Sequence, residues 1–115
     1  MNFQVDNQSN YSVVVSESEK LNALNASELK SLFVTMNKNH VTNIILDLTN
    51  TSYCDSSGLS AILTANRLCK DSSGKFVLTG LQPNVAKMIE IAQLHRVLNI
   101  EDNQTDAVAL INKAD

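Results

Sequence analysis

The sequence predicts an α/β fold: a four- to five-stranded, mostly parallel β-sheet with an antiparallel N-terminal strand, packed with about four helices. Three observations carry this expectation. Hydrophobic periodicity switches repeatedly between two, the strand period, and 3.6, the helix period. Strand-like runs alternate with helical stretches of roughly 10–15 residues, a rhythm that joins parallel strands by right-handed crossovers. The 115 residues, 43% of them hydrophobic, suit one domain over residues 1–115 and leave no room for a second.

Each element has a local reason. Tyr11–Val15 is β-branched and aromatic and reads as a strand. Phe3 and Val5 suggest a short strand before it, and the brief link over residues 6–10 makes that pair antiparallel. Asn25-Ala26-Ser27-Glu28 offers an Asn cap with Glu three residues on. Leu29, Leu32, Phe33 and Met36 then mark an amphipathic helix ending near residues 37–39. Ile44–Leu48 is an apolar run with one acid, as expected of a central strand covered on both faces. A helix is expected over Ser56–Asp71, closed by Gly74 as a left-handed stop. Phe76–Thr79 makes a second buried strand, and Pro83 opens a helix carrying Val85, Met88, Ile89 and Ala92. A short strand at Val97–Ile100 precedes a last helix capped by Asn103, with Ala107, Leu110 and Ile111 as its apolar face.

Composition excludes several function classes. Nine Lys+Arg against twelve Asp+Glu give a net charge of -3, and the charges form no basic stripe for a phosphate backbone, so direct nucleic-acid binding is not expected. No apolar stretch reaches the ~18 residues of a membrane span, and the N-terminus lacks a signal peptide's basic start and apolar run. Cys54 and Cys69 are too few for a disulfide framework and lack metal-ligand spacing. A cytoplasmic protein with reduced thiols, no cofactor and no metal is the expectation.

The segment Cys54-Asp55-Ser56-Ser57-Gly58-Leu59 carries the most information, because it lies where a strand gives way to a helix. Asp55 and Ser56 both suit an N-cap. Gly58 weakens a helix interior, so its place implies that another backbone comes close. On a helical wheel of about 100° per residue, Ser57 falls on the polar stripe of Ser60, Thr64 and Arg67, while Ser56 drifts to the edge beside Leu63. Ser57 is therefore expected to be the presented hydroxyl and Ser56 the structural cap.

This Asp-Ser-Ser-Gly-Leu signature, after a strand and before an apolar helix, resembles the STAS domain, and more narrowly the bacterial anti-sigma factor antagonists. The order of Phe76–Pro83 and Ile89–Asn99 matches that family too. The resemblance implies a non-enzymatic switch. Ser57 would be phosphorylated by an anti-sigma factor that is also a Ser/Thr kinase, and a phosphatase would reverse the modification. The unphosphorylated form would bind the anti-sigma factor and free the sigma factor. It assigns Asp55, Ser56 and Gly58 to the motif, and Asn22, Asn25, Ser60, Thr64 and Arg67 to the partner surface. Asn22 stands where the family often carries an acid.

Other readings compete. A non-phosphorylated STAS subunit of a lipid-trafficking transport complex would dock an ATPase through the same helix face. A hydrolase would need a base for Ser57, yet the sequence has no Gly-x-Ser-x-Gly elbow, and His40 and His95 sit in a polar turn and near a helix end. A receiver domain would make Asp47 the phospho-acceptor, but no Lys follows in 76–82. A second copy of the tetrapeptide, Asp71-Ser72-Ser73-Gly74, closes a helix and reads as a turn.

Overall fold

The computed structural model describes residues 2–113. Within them the order is β1 (Phe3–Asn7), β2 (Ser12–Ser16), β3 (Lys20–Leu21), α1 (Ala23–Lys38), β4 (Ile44–Asp47), β5 (Tyr53–Cys54), α2 (Ser56–Asp71), β6 (Phe76–Thr79), α3 (Pro83–Ile91), a 3-10 turn (Leu94–Arg96), β7 (Asn99–Glu101) and α4 (Gln104–Asn112). Five strands form one sheet in the order β1-β2-β4-β6-β7. Strand β1 runs antiparallel to β2, and all other neighbours are parallel.

Register explains why the central strands are apolar throughout. Ile45 pairs with Val13 and Val77, and Leu46 with Val14 and Leu78. Alternation sends the first set onto Ala107 and Ile111 of α4, and the second into the larger core with residues of α1, α2 and α3. Both faces are covered, so neither set can be polar. Phe33 of α1 meets Phe76 of β6 edge-on, with centroids 5.8 Å apart.

Asp47 ends β4 on the α4 side of the sheet, where its carboxylate accepts from the Thr49 N–H (2.9 Å) and from Gln104 Nε2 (2.6 Å) at the start of α4. Burial acts to raise its pKa, but the hydrogen bonds from Thr49 and Gln104 outweigh this and hold it below the ordinary value.

Several expectations need correction. The second strand is Ser12–Ser16 rather than Tyr11–Val15. The last is Asn99–Glu101, because the chain leaves the 3-10 turn with Val97 exposed and Leu98 turned into the core. The α1 cap is Asn22, not Asn25: Asn22 Oδ1 accepts from Leu24 N–H, and Asn25 Oδ1 accepts from Asn22 N–H. Gly74 is not the left-handed residue; Ser73 is, at φ 62°. The glycine serves close approach instead, since a Cβ there would lie 1.8 Å from the Thr42 carbonyl oxygen.

Candidate functional site

Two short strands absent from the sequence expectation build the site. β3 and β5 pair in parallel, with Leu21 opposite Cys54. Each leads through a single capping residue into a helix: Leu21 through Asn22 into α1, and Cys54 through Asp55 into α2. The Asp55 N–H donates to the Leu21 carbonyl at 3.1 Å. The helix starts are thereby tied together and point the same way. Gly58 lets this happen, since a Cβ at that position would come within 2.7 Å of the same carbonyl.

Neither serine is the cap, and Ser56 is the more exposed of the two. Asp55 alone is the cap: its Oδ1 accepts from Ser57 N–H at 2.9 Å and Gly58 N–H at 3.1 Å. Ser56 is the first helical residue and is exposed, while Ser57 is the second and half-buried. The wheel argument fails here because α1 packs against one side of the polar stripe. Among the described residues neither hydroxyl has a hydrogen-bond partner.

Ser57 lines a groove of about 370 Å³ between the two helix starts, with Ala23, Ala26, Ser27, Lys30, Ser56 and Ser60. Lys30 Nζ donates to Ser60 Oγ across it at 3.2 Å. A second groove of about 540 Å³ continues along α2 past Ser56, Ser60, Leu63, Thr64 and Arg67 to Ala92 and Leu94. The structure thus brings Ser56, Ser57, Ser60, Thr64 and Arg67 onto one continuous surface. Asn22 is half-buried on the far side of the α1 start, beside the 93% exposed Leu24. Asn25 is buried, its amide donating to Ser18 Oγ and the Lys20 carbonyl. It shapes the surface from beneath, which corrects its assignment as a contact residue.

Lys30, Leu24 and Leu63 were not singled out from sequence. Lys30 is 27 positions from Ser57, and no local pattern links them. The exposure of Leu24 and Leu63 appears only once the apolar faces of α1 and α2 are assigned.

Chemically the site is suited to binding. Its one ionisable side chain in the Ser57 groove is Lys30, while His40 and His95 are exposed elsewhere, His40 in the turn after α1 and His95 in the 3-10 turn. Cys54, directly beneath, is 1% exposed. Burial, with the Asp55 charge adding to it, pushes its thiol up to about 12. Among the described residues no three His, Cys, Asp or Glu side chains are grouped to hold a metal ion, and no helix is long and apolar enough to cross a membrane.

The fold and site define a small mixed-sheet α/β module that displays a serine at a helix start beside a groove. The chain belongs to the STAS domain family, whose model matches residues 2–107. A relative from Paenibacillus polymyxa, the "Anti-sigma F factor antagonist", is 30% identical over 66 residues, which is 57% of this chain and 56% of that protein. Solved structures share the fold. An anti-sigma factor antagonist from Mycobacterium paratuberculosis superposes with a TM-score of 0.86 at 16% identity, covering 96% of this chain and 93% of that one. SpoIIAA, also an anti-sigma factor antagonist, superposes in its unphosphorylated form with a TM-score of 0.77 at 20% identity, covering 97% and 99%. The phosphorylated Bacillus form gives 0.74 at 20%, covering 96% and 99%.

Proposed function

We propose that this protein is an anti-sigma factor antagonist acting in the cytoplasm. Unphosphorylated, it binds an anti-sigma factor that is also a Ser/Thr kinase; phosphorylation of Ser57 releases that partner, and a phosphatase resets the switch. The observation that carries the reading is Ser57 itself. It is the second residue of α2, its hydroxyl has no partner, and it lines the groove between the two helix starts, which Lys30, Ser56 and Ser60 join to the groove along α2. The name of the Paenibacillus relative supports the partner class.

The physics favours release by charge. A phosphoryl group adds about -1.5 to -2 charge at neutral pH, here beside the Asp55 carboxylate. Desolvating two adjacent anions against a partner is costly. The fold has no reason to change, since the Ser57 hydroxyl makes no internal hydrogen bond, and amide shifts on phosphorylation should stay near residues 54–64. Ser60, Thr64, Arg67 and Asn22 complete the contact surface.

Co-purification with phosphopeptide mass spectrometry tests this. Ser57→Ala should retain the anti-sigma factor and Ser57→Asp should weaken binding. Isolation in a permease–ATPase complex with Ser57 unmodified would refute the switch and favour a transport role.

A further inference from the structure

We propose that Lys30 is the binding residue for the phosphoryl group on Ser57, a cation within the protein that the phosphate captures. The inference rests on Ser57 as the modified residue. A helix start ordinarily offers an anion its unpaired N–H groups. Here most of them are already engaged: Asp55 Oδ1 holds the Ser57 and Gly58 N–H groups, and the Leu21 carbonyl holds the Asp55 N–H at 3.1 Å. The same carboxylate places a like charge next to the phosphate. The helix start alone is therefore a poor seat for a dianion, and a positive side chain is needed.

Lys30 is placed to supply it. Its ammonium rests on Ser60 Oγ, one turn along α2 from Ser57, where side chains three apart have Cβ atoms about 5–6 Å apart. Lys30 and Ser57 line the same groove. Exchanging the neutral Ser60 hydroxyl for a phosphate keeps the charged donor and gives it an oppositely charged acceptor, so the attraction between opposite charges is added to the hydrogen bond. In the unmodified protein Lys30 and Arg67 lend positive charge to the surface that meets the partner. Once Ser57 is phosphorylated, Lys30 is drawn inward and that charge is neutralised. The partner surface this arrangement fits is acidic.

The test uses the full chain with phosphoserine genetically encoded at position 57, so that no kinase is required. The charged side chains around the phosphate are Asp55 at the junction, Lys30 on α1 and Arg67 further along α2, and only Lys30 is changed. A ³¹P NMR titration should show the second phosphate pKa lower in the parent than in Lys30→Met by about half a unit or more, because a nearby cation favours the dianion. Lys30→Arg should titrate like the parent, and so should Lys38→Met at the far end of α1. A smaller difference for Lys30→Met, or an equal one for Lys38→Met, overturns the proposal. Because the phosphoserine is supplied, failure to find Ser57 modified in cells would refute the proposed function and leave this result standing.

Discussion

Gly58→Ala separates the local view of this site from the tertiary one, because the two predict opposite signs. Helix propensity alone makes alanine better than glycine by about 1 kcal/mol in a helix. The added Cβ, however, would meet Cys54 Sγ at 2.6 Å, the Leu21 carbonyl oxygen at 2.7 Å and Leu21 Cγ at 2.9 Å. The carbonyl cannot yield cheaply, since it accepts the Asp55 N–H that couples the two helix starts. Overpacking costs about 1–3 kcal/mol, and a weakened backbone hydrogen bond adds about 1 kcal/mol. Subtracting the propensity gain leaves a net loss of about 1–3 kcal/mol, or a fall in Tm of roughly 5–15 °C for a domain of this size. Urea unfolding and calorimetry read both quantities. Cys54→Ala in the same chain should relieve only part of the loss, as the carbonyl contact remains. A Gly58→Ala protein as stable as the parent, or more so, would refute the close-approach argument and restore the propensity view.

Asp55→Ala should lower stability in urea by about 1 kcal/mol through loss of the cap, while Asp55→Asn, which keeps an acceptor oxygen, should lose far less. Both thiols are held by burial near 12, Cys69 despite an opposing hydrogen bond from the Ile44 backbone. Native protein at pH 8 should therefore react with iodoacetamide only slowly, with about 10⁻⁴ of either thiol ionised, and both should label readily in denaturant. Asp47 has a folded pKa below its unfolded value, so its contribution to stability is present above that value, near 3.8, and is lost as pH falls through the folded pKa. The stability gap between the parent and Asp47→Ala should accordingly be widest near neutrality and close in acid. A gap that is flat from pH 7 to pH 2 would contradict this.

The legible parts of the fold were those set by short-range chemistry. The bounds of α2 and the Asn103 cap of α4 follow from a capping side chain next to an apolar period. The buried runs at Ile44 and Phe76 announce central strands through composition alone. What escaped was decided by contacts distant in sequence. β3 and β5 are two residues long and show no alternation to read; they exist because Lys20 and Leu21 find Tyr53 and Cys54. That pairing also chooses Asp55 over Ser56 as the cap, by fixing the Asp55 N–H on Leu21. At α1 the Glu28 spacing favoured Asn25, whereas the buried amide of Asn25 is needed to hold Ser18 and Lys20 in place. In the site, the serine motif was legible and Lys30 was not.

The two Asp-Ser-Ser-Gly copies show why the motif needs its setting. Both border α2, one at each end. In the first, Asp55 faces the open N–H groups of the helix start and is stabilised by them. In the second, Asp71 is the last helical residue, Ser72 is the C-cap and Ser73 takes the left-handed conformation. The unpaired groups there are carbonyls, and the helix dipole repels an anion. A carboxylate at position 57 gains from the dipole and loses to Asp55, so Ser57→Asp should change stability by less than about 0.5 kcal/mol. Ser72→Asp places the same charge beside Asp71 at the wrong end of the dipole, and the loss should be about 0.5–1 kcal/mol at low salt. The loss should shrink as salt is added. Equal effects at the two positions would mean that the helix field does not distinguish the two ends of α2.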